Sequence, residues 1–216
     1  MLTALFTGLS IGLGSGVAPG PLTGLAISTT LRSGLRPGLH IAIAPLISDS
    51  IIIFLSLTLV SQLPETAITV LGIIGAIVVA AFGVEVLLSA RRMRNNEVDM
   101  AIKETSKLQR LPPAAQGALI NFLNPAPWIF WITAGSTILI GFWRESPNQA
   151  ILFLIAFYLT LVGAKVAIVL ALAATRHRMN ARTYRSILTA SGILLLVTAV
   201  ILVFTHVTDL LSRFIY

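Results

Sequence analysis

The chain has 216 residues, 56% of them hydrophobic and 11% charged, with a mean hydropathy of +0.92. Soluble domains carry about 25% charged residues, so a water-exposed surface is excluded for most of this chain. The formal charge of +7 is split among short basic clusters between apolar runs, which excludes one broad nucleic-acid face, and the lack of cysteine excludes disulfides, thiolate metal ligands and thiol relays.

A helix rises 1.5 Å per residue, so roughly 20 apolar residues cross a hydrocarbon core about 30 Å thick. Six spans are predicted, at 3–31, 38–60, 66–90, 113–141, 148–174 and 184–206. Met1-Leu2-Thr3-Ala4 lacks the basic region of a secretory signal, so the first span is expected to be retained. It is broken near its middle by Pro19-Gly20-Pro21, and Gly8, Gly12, Gly16, Gly20 and Gly24 draw a smooth stripe along it. The second span carries Pro45 and Asp49, and the third ends near Glu85, which is expected to reach the inner interface and to be structural. A polar connection at 91–112 follows, expected at the cytoplasmic surface as an interfacial segment. The fourth span is broken by Asn124-Pro125-Ala126-Pro127, and the fifth carries Lys165.

This order predicts an all-α membrane protein with two three-helix repeats, 1–90 and 113–216, joined by 91–112. An odd number of spans per repeat makes the second repeat run inverted relative to the first. Twelve of the fifteen basic residues fall in the loops 32–37, 91–112 and 175–185. The positive-inside rule puts those loops in the cytoplasm and both termini outside.

Depth follows from counting. Pro19 precedes Arg32 by 13 residues, Asp49 follows Arg36 by 13, Asn124 follows Arg110 by 14 and Lys165 precedes Arg176 by 11. All four lie roughly 16–21 Å from the inner charged layer, near mid-membrane. An ionised side chain there costs about 2.5–3.5 kcal/mol even on the lenient insertion scale. Asp49 and Lys165 are therefore either a structural ion pair or a substrate and coupling site, with Asp49 taking an ammonium or a proton and Lys165 facing a carboxylate.

The prolines free the carbonyls four residues back: those of Ser15 and Val17 for Pro19 and Pro21, those of Asn121 and Leu123 for Pro125 and Pro127. With no water in the bilayer core, such breaks persist where they are packed or line a cavity. Paired breaks in two halves point to a transporter's binding site. The half-helix after each break presents amides suited to a carboxylate, and Asn121 and Asn124 add neutral donors and acceptors. Trp128 and Trp131 are either packing anchors or walls of a substrate cavity. His40, His177 and His206 belong to different levels, so no metal cluster is expected. No nucleophile–base set and no nucleotide loop is apparent, so neither an enzyme nor a cofactor is expected, and transport would be driven by an ion gradient.

Three stretches resemble the LysE/RhtB family of amino-acid exporters: Gly12-Leu13-Gly14-Ser15-Gly16-Val17-Ala18-Pro19-Gly20-Pro21, Gly34-Leu35-Arg36-Pro37-Gly38, and Asn121-Phe122-Leu123-Asn124-Pro125-Ala126-Pro127-Trp128. The resemblance implies an inner-membrane secondary exporter working by cation-coupled antiport. The expectation is export of an amino acid or related small zwitterion by alternating access, with a proton or sodium ion as coupling partner, membrane lipid around it and no nucleic acid. Self-association is left open. The alternatives are a carrier of a metal cation or other ion, and a non-transporting membrane assembly subunit.

Overall fold

The computed structural model describes residues 1–92, 111–174 and 181–215. Among these every regular element is helical. In chain order they are α1 (Leu2–Val17), α2 (Pro21–Ser33), α3 (Leu35–Ala42), α4 (Pro45–Val60), α5 (Glu65–Arg92), α6 (Pro113–Leu123), α7 (Pro125–Phe130), a π-helical turn (Trp131–Gly135), α8 (Ser136–Glu145), α9 (Pro147–Ala174) and α10 (Ala181–Ile215). Five stretches are long and apolar enough to cross a membrane, and α1 with α2, bent by 58°, makes a sixth. The protein is thus an all-α, multi-pass membrane protein. The expected surface segment within 91–112 and the basic cluster around Arg176, His177 and Arg178 lie outside the described residues, apart from 91–92 and 111–112.

Proline placement explains most of the boundaries. Pro21, Pro45, Pro113, Pro125 and Pro147 each open a helix, where the missing N–H has no intrahelical partner to lose and φ is already helical. Pro37 and Pro127 sit in first turns, while Pro19, Pro64 and Pro112 stand just before one. The second span is accordingly two helices, hinged by a turn at Ile43–Ala44 ahead of Pro45. The fourth is interrupted at Asn124 and again by the π-helical turn, which sequence reading did not anticipate.

Helix faces are inverted relative to a soluble bundle. On α4 the buried positions are Pro45, Ser48, Asp49, Ile52, Ser56 and Val60, whereas Ile47, Ile51, Phe54 and Leu59 are exposed. Ser48, Asp49 and Ser56 thus point inward beside Ile52 and Val60, while the exposed face is mostly aliphatic and aromatic, as suits lipid. Large exposed residues on α9 and α10, such as Ile155, Leu159, Val200 and Phe204, continue this outer surface.

The two halves interleave. Helix α1 runs along α9, α5 along α10, and α4 against α6, α8 and the π-helical turn. The glycine stripe sets the first of these contacts. A Cβ at Gly8, Gly12 or Gly16 would strike the backbone of Phe153, Phe157 or Leu161, so the four-residue period of glycine matches a four-residue period of carbonyls on α9. Gly20 faces open space instead. Gly83 and Gly192 perform the corresponding service where α5 crosses α10.

Candidate functional site

The first break is an extended stretch rather than a kinked helix. Ala18 has φ −53° and ψ 130°, and Gly20 is fully extended before Pro21 restarts the helix. Pro19 and Pro21 cannot donate to the carbonyls of Ser15 and Val17, and the extended chain also withdraws the amide of Gly20 from the reach of the Gly16 carbonyl. Lys165 fills that gap: its Nζ donates to the Gly16 carbonyl at 3.2 Å and to Thr23 Oγ1 at 3.0 Å. Thr23 Oγ1 in turn donates to the Ala18 carbonyl at 2.9 Å. An ammonium at the C-terminus of α1 also meets the negative end of that helix dipole.

The second break follows the same rule with different chemistry. Pro125 and Pro127 have no N–H, and the Ala126 amide turns to Asn124 Oδ1 at 3.1 Å. That releases the Phe122 carbonyl, which the indole Nε1–H of Trp128 takes at 2.7 Å. The Trp128 ring stands edge-on to Phe122 at 5.1 Å. In both breaks the carbonyl between the two whose helical donors are replaced by prolines is capped by a side chain.

Asp49 is 3% exposed and held from the other half of the chain. Asn121 Nδ2 donates to its Oδ1 at 2.6 Å and to Ser48 Oγ at 2.8 Å, while the Tyr158 hydroxyl donates to Oδ2 at 3.3 Å. Lys165, 6% exposed, is held by first-half groups. Asp49 and Lys165 form no ion pair with each other; the described ion pair is Arg144–Glu65, at 3.4 Å.

Both charges line one cavity of about 220 Å³, together with Pro19, Gly20, Pro21, Asn121, Asn124, Pro127 and Trp131. Of the residues singled out from sequence, Pro125 and Trp128 lie outside this lining, because Pro125 opens α7 and Trp128 caps Phe122. Glu85, expected at the interface, lies in it. Phe130, Trp131 and Phe157 line the cavity as one aromatic cluster, with ring centroids 5.2–5.7 Å apart. Phe153 and Phe142 extend this cluster into a column toward the ends of α8 and α9 near Arg144.

Sequence reading missed Tyr158, Ser48 and Thr23. Tyr158 was findable: it precedes Lys165 by seven residues, two helical turns, and so shares its face.

A family model described as LysE type translocator matches residues 15–206, a stretch that includes both breaks, Asp49 and Lys165. The chain belongs to this family. No curated protein and no solved structure matches it. As a LysE type translocator the protein belongs to a family of transporters, which implies export of small molecules across a membrane. In this translocator the cavity is lined by residues of both halves. Its volume lies below the roughly 300–1,000 Å³ typical of sites for drug-sized ligands, which suits a small solute.

Proposed function

We propose that this translocator is a secondary-active exporter of an amino acid or related small zwitterion, working by cation-coupled antiport through alternating access. The observation that carries this reading is the cross-anchoring of two buried charges on one cavity. Asp49 of the first half is held by Asn121 and Tyr158 of the second, and Lys165 of the second half by Gly16 and Thr23 of the first.

Asp49 receives one cation at a time, either the coupling ion or the ammonium of the solute. Competition for one carboxylate is the simplest source of exchange, since loading either ligand expels the other. Both of its present partners donate to it, so protonation or an arriving ammonium weakens at least one contact that ties α4 to the second half. Lys165 balances the carboxylate's charge inside a low-dielectric interior. A solute carboxylate competes with the Gly16 carbonyl for the same ammonium and so loosens the α1–α9 contact. The first amides of α2, next to Thr23, add positive dipole character on that side.

The aromatic column supplies the closed end. With the loops 32–37, 91–112 and 175–185 in the cytoplasm of a bacterial-type inner membrane and both termini outside, the column faces outward and the cavity faces the cytoplasm. The pairing of α1 with α9 and of α4 with α6 and α8 is what two inverted three-helix repeats would produce by exchange of halves, which supports that organisation. A metal-cation carrier is less well supported, because Asn121 and Tyr158 turn donors, not lone pairs, toward Asp49.

Asp49→Asn in everted vesicles is the direct test. Substrate-driven proton or sodium movement should disappear with the protein at normal abundance. Unchanged coupled movement would remove Asp49 from the coupling role.

A further inference from the structure

We propose that Glu85 selects the transported solute by receiving its cationic nitrogen at the mouth of the cavity. The assignment rests on the carrier reading above and divides the work between two carboxylates: Glu85 recognises, Asp49 couples.

Three observations meet at this residue. Glu85 lines the cavity that Asp49 and Lys165 also line, projecting from α5 with Phe82 and Val86. Asp49 already accepts from Asn121 and Tyr158, and Lys165 already donates to Gly16 and Thr23. Glu85, by contrast, has no hydrogen bond or ion pair with any described residue. It is the carboxylate in the lining whose acceptor positions no described residue claims, and it is exposed rather than buried.

Position gives the order of encounter. Glu85 is six residues before Arg91, about 9 Å along α5 from that basic end. The depth count for Asp49, 13 residues from Arg36, is about twice that. A cation entering from the basic end therefore meets Glu85 first. A lipid-facing carboxylate at such a depth would be costly, whereas one on a wet cavity wall is not. An anionic solute without a cationic nitrogen is repelled at the same point, so the residue discriminates as well as attracts.

The probes are the twenty protein L-amino acids, supplied together to proteoliposomes or everted vesicles and read by mass spectrometry, and the 2-hydroxy acid of each one that moves. Glu85→Gln should raise the half-saturation concentration of every transported amino acid by about tenfold, the worth of one charge-assisted hydrogen bond. Maximal rate should stay within about twofold. The 2-hydroxy acids, relieved of the repulsion, should show no rise and a modest fall in half-saturation in Glu85→Gln, and Glu85→Asp should recover most of the amino-acid loss. Unchanged half-saturation for the amino acids in Glu85→Gln, or an equal shift for amino and hydroxy acids, overturns the assignment and leaves the carrier reading standing. Wild-type protein that moves none of the amino acids overturns both. Elution of the detergent-solubilised variants on size exclusion verifies that they are folded.

Discussion

Trp128 and Lys165 do the same physical job at the two interrupted spans: each puts a side-chain N–H on a carbonyl that the interruption strips of its backbone donor. An unsatisfied buried acceptor costs about 1–3 kcal/mol, and within lipid no water stands in for the missing donor. Trp128→Phe keeps the aromatic contact with Phe122 and removes only the indole N–H. It should lower stability by about 1–2 kcal/mol, read as a lower midpoint of thermal unfolding in detergent; an unchanged midpoint would show that the Phe122 carbonyl finds another donor. Lys165 differs from Trp128 because its cap is also a charge on the cavity wall. Its rarity in an apolar span was visible in the order of residues. Its partner was not, because that partner is a backbone carbonyl 149 positions away, exposed only by the extended geometry of Ala18 to Gly20.

At the scale of helices, the glycines divide by what stands opposite them. Gly12 faces the Phe157 carbonyl and the Thr160 hydroxyl, whereas a Cβ at Gly163 on α9 would meet nothing within 4 Å. Gly12→Ala should therefore cost about 1–3 kcal/mol by overpacking the α1–α9 contact. Gly163→Ala should be neutral or stabilise by up to about 1 kcal/mol through helix propensity. Thermal unfolding of the two purified variants checks the opposite signs. The four-residue glycine period was plain in the sequence as a close-approach stripe. That Gly20 leaves the stripe and opens onto the cavity was decided by the break, which turns the chain by 58° before the next turn of helix can form. The π-helical turn at Trp131–Gly135 left no equivalent mark. Gly135 makes room there for the Trp131 ring, a requirement seen only once the turn exists.

Across the whole molecule, the cavity exists because the halves interleave: first-half helices supply Asp49 and Glu85, second-half helices supply Asn121, Trp131 and Lys165. The alternating access proposed above requires the aromatic side of the cavity to open. Glu65 and Arg144 bridge that side, joining the start of α5 to the end of α8. With cysteines at both positions and a short bifunctional thiol reagent, cross-linking should stop solute flux, and a cleavable linker should restore it on reduction. Flux that persists through complete cross-linking would mean that this side does not move. The native ion pair itself, being half-exposed, contributes little to stability.

Hydropathy and proline positions determined the number of spans and the two proline breaks, because each is a property of neighbours along the chain. Which way each helix turns about its own axis was decided only by packing. One residue of displacement rotates a side chain by about 100°, so the order of residues fixes depth far better than direction. For that reason Asp49 and Lys165 stood out beforehand as charges within apolar spans, while their separate anchors, the indole cap at Phe122 and the place of Glu85 on the cavity wall came from the tertiary structure alone.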